Sequence, residues 1–212
     1  MESAGLMGKL QVICEWVTRL AYVNLLWILF TLIGLIGAGF APATVAMFSV
    51  VRQWVRGHET VPVFATFWDV YKKEFFKANL LSGGMGILIS VILIVGFMMG
   101  SLSPVFSGLM IGLLFLVAVV FLYLIPVYVH FEYSFKDMIK TSFILSTVFP
   151  FRTIAMIGST ILAVVIAITF PAVGVLFFGS ASSFVLMKIT NGIFTNISSK
   201  EKAGLPVIST IQ

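Results

Sequence analysis

Charge is what this chain has least of: 13 Lys and Arg and 8 Asp and Glu make up 10% of its 212 residues, where soluble domains average about 25%. With 60% hydrophobic residues beside them, that scarcity excludes an ordinary soluble domain and points to a membrane protein. Cysteine is down to one, Cys14, so no internal disulfide can form. No Cys/His cluster has metal-ligand spacing, and neither redox nor zinc chemistry is indicated. A G-x-x-x-x-G-K-[ST] loop is missing, which excludes nucleotide hydrolysis by that route. The long apolar runs contain no Asp, Glu, Lys or Arg, the costly groups that an intramembrane enzyme or proton-coupled carrier usually keeps inside its bundle. No cofactor and no metal is therefore expected, and no catalytic residue is assigned.

What remains is apolar sequence long enough to cross a bilayer several times. A helix rises about 1.5 Å per residue through a hydrocarbon core of about 30 Å, so roughly 20 apolar residues make one crossing. Leu20 to Val51 is uncharged, as are Ala78 to Phe131 and Thr153 to Met187. "SLSP" at Ser101 to Pro104 divides the second interval, and Pro171 divides the third. Unpaired backbone groups cannot be left in lipid, so these segments are helices. The fold class is all-α, a polytopic transmembrane helical bundle of about five spans: a broken first span at 22–50, then 79–99, 105–129, 153–170 and 172–189, forming one membrane domain over residues 1–212. The first run is too long and starts too far in for a cleaved secretory signal, so it is expected to be retained.

Two flanking stretches are amphipathic. Residues 6–21 gather Leu6, Leu10, Ile13, Val17 and Leu20 on one face and Lys9, Glu15 and Arg19 on the other, an interfacial helix. Residues 64–77 set Phe64, Phe67, Trp68, Tyr71 and Phe75 at helical spacing among Asp69, Lys72, Lys73 and Glu74, an interfacial aromatic-basic helix at headgroup level.

Eleven of the 13 basic residues fall in the segments 52–77 and 130–152 and in the C-terminal end from Lys188. That excess puts those segments and the 190–212 tail on the cytoplasmic side of the membrane, with anionic lipid rather than nucleic acid as the partner of the net +5 charge. Lys9 and Arg19 fit that orientation only if the first run enters and returns as a re-entrant hairpin turning at "GAGFAP". The alternative architecture is then four spans plus that hairpin.

The break itself is expected at Gly39 to Pro42. Pro42 lacks an N–H and opposes the carbonyl of Ala38, leaving it without a helical donor. Gly34, Gly37 and Gly39 ease the interruption. Broken helices at membrane depth often form transporter substrate sites, and "GFAPA" with "TFPAVG" would suit a pair of such breaks.

Asn24 and Trp27 open the first span, Gly37, Gly39, Pro42 and Ala43 follow, then Trp54 and Gly57, Phe67 and Trp68, and Phe76, Lys77 and Asn79. In this order and spacing they resemble the pattern of the YesL family of bacterial membrane proteins, over most of the chain, and "SFKDMIKTSFILS" is similar to that family's second cytoplasmic loop. The resemblance implies an uncharacterised, non-enzymatic membrane protein. Its members are often encoded beside sugar-uptake transporters and glycan-degrading enzymes, which implies a carbohydrate-related accessory role.

Three functions are weighed. The first is an accessory or regulatory partner of a carbohydrate transport system, docking on a sugar transporter permease through the small-residue spans and the loop 52–77; a second copy of the chain is the other partner class left open. Its candidate contacts are Asn24, Trp27, Gly39, Pro42, Ala43, Trp54, Gly57, Phe67, Trp68 and Asn79. The second is a small autonomous transporter or channel whose path runs past the break with Asn24, Thr31 and Thr44. The third, a membrane enzyme, would need a pair drawn from His58, Glu59, His130 and Glu132.

Overall fold

In the computed structural model the backbone is described for residues 2–100, 103–130 and 134–202, and the side chains for 7–99, 103–130 and 134–195. Among the described residues there are seven helices and no strand: α1 (Glu2–Ile33), α2 (Gly37–Val55), α3 (Val63–Gly100), α4 (Pro104–His130), α5 (Phe135–Val148), α6 (Pro150–Thr169) and α7 (Pro171–Lys202). Five stretches are long and apolar enough to cross a membrane: Met7–Ile33, Val63–Met99, Pro104–His130, Pro150–Thr169 and Pro171–Thr195. The all-α bundle expected from the apolar runs is the architecture found, with five candidate spans, the first of them the α1 arm alone rather than a broken span at 22–50.

Proline sets three of the helix starts. Pro104, Pro150 and Pro171 each open a helix, where a missing N–H costs nothing and the fixed φ already suits the turn. The α6–α7 connection is the single residue Phe170, held extended by the proline after it. Gly174 lets the two arms close, since a Cβ there would lie 2.8 Å from Ala167 Cα.

The two amphipathic stretches are continuous with their spans. Residues 6–21 are the first turns of α1 and 64–77 those of α3, because no glycine or proline lies between either stretch and the apolar run that follows. Residues 190–202, expected in the tail, prolong α7, with Thr190, Ile193 and Phe194 buried; 203–212 lie outside the described residues. The segment 135–148, read from sequence only as part of a loop, is the amphipathic α5, which buries Met138, Ser142, Leu145 and Ser146.

The break in the first apolar run is present, but earlier than expected. α1 ends at Ile33, the chain turns through Gly34, Leu35 and Ile36, and Pro42 sits inside α2 rather than at an interruption. Trp27 against Thr44, and Trp16 against Trp54, show the two arms running antiparallel as a hairpin. The α1 end is a Schellman motif: Ile36 N–H donates to Thr31 O at 2.8 Å and Leu35 N–H to Leu32 O at 3.0 Å. Leu35 takes the left-handed position at φ 59°, where glycine is usual. Ile36 follows at φ 60°, ψ −65°, with Gly37 N–H on Leu35 O, a γ-turn of the strained kind.

α2 is the centre of the bundle and packs on α1, α3, α4 and α7. Twelve of its 19 residues are buried. Five of them are Ala41, Ala43, Thr44, Val45 and Ala46, and in lipid such small residues let helix backbones approach and gain van der Waals contact. By contrast α4 up to about Ala118 and much of α6 stay open to lipid, with Val105, Phe115 and Ile168 all more than 60% exposed.

Candidate functional site

The candidate residues do not converge on one cavity. They form three junctions at which neighbouring helices are tied together.

The first junction joins α1, α2 and α7. Asn24, fully buried, donates Nδ2–H to Val175 O at 2.7 Å, and its Oδ1 accepts from Ser180 N–H at 3.0 Å. Both faces of one amide are thus spent on the α7 backbone. Gly179 makes this approach feasible: a Cβ there would stand 2.8 Å from Asn24 Oδ1 and 3.4 Å from both Met47 Sδ and Trp27 Cε3. Trp27 Nε1–H donates to Thr44 Oγ1 at 3.0 Å, and the Thr44 hydroxyl donates to Phe40 O at 2.7 Å. Asn24 and Thr44, two of the three groups expected along a polar path, are therefore used inside the bundle. The third, Thr31, is half-buried, and its Oγ1 has no hydrogen-bond partner among the described residues.

The second junction lies at the hairpin tip and α3. Gly34 and Gly39 stack backbone on backbone: a Cβ on Gly34 would meet Gly39 N at 2.7 Å and Tyr71 Oη at 2.7 Å, and one on Gly39 would meet Thr31 O at 2.5 Å. Tyr71 Oη–H donates to Phe30 O at 3.1 Å. Asn79 Nδ2–H donates to Ala38 O at 2.9 Å and to its own helix at Phe75 O, 2.8 Å. Ala38 is the residue whose carbonyl Pro42 cannot serve, so α3 supplies the missing donor from outside. Pro42 and Ala43 themselves are buried in α2.

The third junction is aromatic. Phe30 receives Phe67 at 5.2 Å and Trp68 at 5.4 Å between ring centroids, and Lys72 Nζ sits 4.9 Å over Trp68. The aromatic face of 64–75 thus turns partly inward: Phe67 and Tyr71 are buried while Phe64 and Trp68 stay exposed. Trp54 is buried edge-on to Trp16, which also meets Phe184 of α7. Gly57, at φ +90°, ends α2 in a second Schellman motif, with Gly57 N–H on Trp54 O and His58 N–H on Gln53 O, both at 3.0 Å. In the chain's own structure its place is that of a helix cap.

Residues 20–97, which hold the α1 to α3 members of the first two junctions, match the family described as "Protein of unknown function, DUF624". Over 205 residues the chain is 36% identical to "Uncharacterized protein YteU" of Bacillus subtilis (strain 168), covering 93% of this chain and 90% of that one. The chain belongs to the DUF624 family. Two further relatives in that organism are "Uncharacterized protein YesL", 33% identical with 89% and 91% covered, and "Uncharacterized protein YesV", 35% identical with 68% and 71% covered. No solved structure matches. The similarity to YesL first read from the motif is thus upheld along most of this DUF624 chain.

Several residues that order the DUF624 bundle carry no motif in the sequence. Arg52 Nη1–H donates to Val129 O, and Arg152 Nη1–H to Ile189 O at 3.0 Å, passing where a Cβ on Gly192 would sit. Tyr123 and Thr153 share a buried hydrogen bond of 2.9 Å, and Tyr128 Oη–H donates to Glu74. Of the groups considered for catalysis, Glu59 pairs with Arg19 at 3.2 Å and His130 Nε2 lies 2.9 Å from Arg56 Nη2. His58 occupies the loop after α2, and Glu132 lies outside the described residues. Among the described residues no group of three or more His, Cys, Asp or Glu could hold a metal.

Proposed function

We propose that this DUF624 chain is a non-catalytic accessory subunit that docks on another membrane protein, the permease of a carbohydrate uptake system. The observation that carries this reading is the fate of its polar side chains. Asn24, Trp27, Thr44, Tyr71 and Asn79 each place their hydrogen bonds on a neighbouring helix or on their own backbone. A transport path or active site needs such groups directed at a ligand; here they fix the helices.

The docking surface of this proposal is what the junctions leave uncovered along 52–77. Phe64, Trp68 and Phe76 are exposed there beside Lys72 and Lys73, and aromatic residues are enriched at protein interfaces. The carbohydrate assignment rests on the setting in which the resembling family is encoded. A sugar permease is the partner it supplies; membrane lipid covers the remaining apolar faces.

Affinity extraction from the native membrane in a mild detergent, followed by mass spectrometry, tests it. A sugar-transporter permease recovered at near-equal ratio, and lost in Trp68→Ala/Phe76→Ala, is expected. Recovery of the chain alone, or only with copies of itself, would overturn the accessory reading.

A further inference from the structure

The end of the bundle where α2 and α4 terminate carries positive charge that the described residues do not offset. Arg52, in the last turn of α2, sends its guanidinium to the Val129 carbonyl of α4. Arg56, the α2 C-cap, sets Nη2 2.9 Å from His130 Nε2. Among the described residues neither arginine has a carboxylate within ion-pair distance. Their neighbours do: Arg19 pairs with Glu15 at 2.5 Å and with Glu59 at 3.2 Å, and Lys72 with Asp69 at 3.6 Å.

Helix ends account for part of the attraction. Each C-terminus presents about half a negative elementary charge, so α2 and α4 together answer roughly one of two full positive charges. The remainder is held close: burial first, then the charge of Arg56, lowers the pKa of Arg52 from its ordinary value. Arginine nevertheless stays protonated, so the charge that the described residues leave unpaired persists and can attract a counter-ion. Arg56 is exposed and Arg52 half-buried, so an anion can reach both. Each guanidinium also keeps N–H donors beyond the one it spends on the protein, in a planar fork that suits phosphate oxygens.

We propose that Arg52 and Arg56 bind a phosphate-bearing anion at this end of the bundle. The shared chemistry is a phosphate group, on the headgroup of an anionic phospholipid or as free phosphate. The inference is independent of the permease partner.

Native mass spectrometry of the full chain, released from detergent with phosphatidylglycerol, phosphatidylcholine or inorganic phosphate added, reads it directly. Phosphatidylglycerol adducts that outnumber phosphatidylcholine adducts, and fall about thirtyfold in affinity in Arg52→Gln/Arg56→Gln, are the expected result for a lipid. Adducts or thermal stabilisation with phosphate alone, lost in the same variant, assign the site to a free anion. Arg52→Lys/Arg56→Lys keeps the charge but not the fork, and is expected to bind more weakly than the native chain and more tightly than Arg52→Gln/Arg56→Gln. Arg19→Gln, whose charge is already paired, leaves binding unchanged. Equal binding of both lipids without a phosphate effect, undiminished binding in Arg52→Gln/Arg56→Gln, or binding that appears only in Glu132→Gln would each overturn the proposal.

Discussion

Asn79 of α3 donates its side-chain amide to the carbonyl of Ala38 in α2 at 2.9 Å, and that carbonyl is the one Pro42 leaves without a helical donor. A proline in one helix and an amide in the next therefore act as a unit. The proline opens a hydrogen-bonding position on the buried helix, and the amide fixes α3 against it. The arrangement explains how α2 tolerates a proline in its interior without breaking: the orphaned group is paired from outside, as apolar surroundings require.

Coupling between these two residues is the first expectation. Asn79→Ala destabilises the bundle by about 0.6–1.7 kcal/mol, the range for interhelical hydrogen bonds in membranes. In a Pro42→Ala background the backbone N–H gained at that position serves Ala38, so the same Asn79 substitution costs less. A double-mutant cycle from unfolding in mixed micelles measures the difference, and additive effects would count against the pairing.

Glycines of one turn differ in sign. Gly34→Ala and Gly39→Ala force a methyl to under 3.0 Å from the opposing backbone and destabilise by about 1–3 kcal/mol or more. Gly37→Ala meets nothing within 4 Å at the start of a helix, and raises stability by about 0.5–1 kcal/mol. The three variants compared in one thermal-unfolding series check it.

Backbone strain supplies another contrast. Ile36 holds φ 60° with a branched side chain that is 62% exposed, so Ile36→Gly relieves strain and stabilises by about 1 kcal/mol. Gly57, at φ +90° with open space around it, is required for its conformation alone, and Gly57→Ala costs about 1–2 kcal/mol. Shifts of opposite sign in melting temperature are the readout.

Asn24→Leu removes both bonds to α7 and destabilises by about 1–2 kcal/mol. Asn24→Asp costs more, because a carboxylate oxygen then faces the Val175 carbonyl. Cross-linking between cysteines placed on α1 and α7 reports the loss: slower disulfide formation in both variants, more so in Asn24→Asp, is expected.

The apolar runs made the spans legible, since a bilayer imposes length and excludes charge. The turns at Pro104 and Pro171 were legible for the same local reason, proline opening a helix. The first run misled because Gly37, Gly39 and Pro42 are the usual breakers, whereas the turn uses Leu35 and Ile36. The glycines at 34 and 39 serve close approach, a property of the opposing arm that no local reading contains. Among the motif residues the sequence marked positions without marking what they meet: Asn24 and Asn79 read as candidates for a ligand or partner contact, and the groups they bond, Val175, Ser180 and Ala38, are backbone groups that carry no signature. Gly179 was equally silent until Asn24 stood against it.

Water access to the bundle centre tests the central claim, that the motif locks helices rather than lining a path. With Cys14 replaced by serine, Thr44→Cys and Ala46→Cys are exposed in native membranes to a membrane-impermeant maleimide, with His58→Cys in the loop as the reactive control. The account predicts prompt labelling at position 58 and none at 44 or 46 over the same time. Labelling at position 44 as fast as at 58 would contradict it and put a polar path past Pro42.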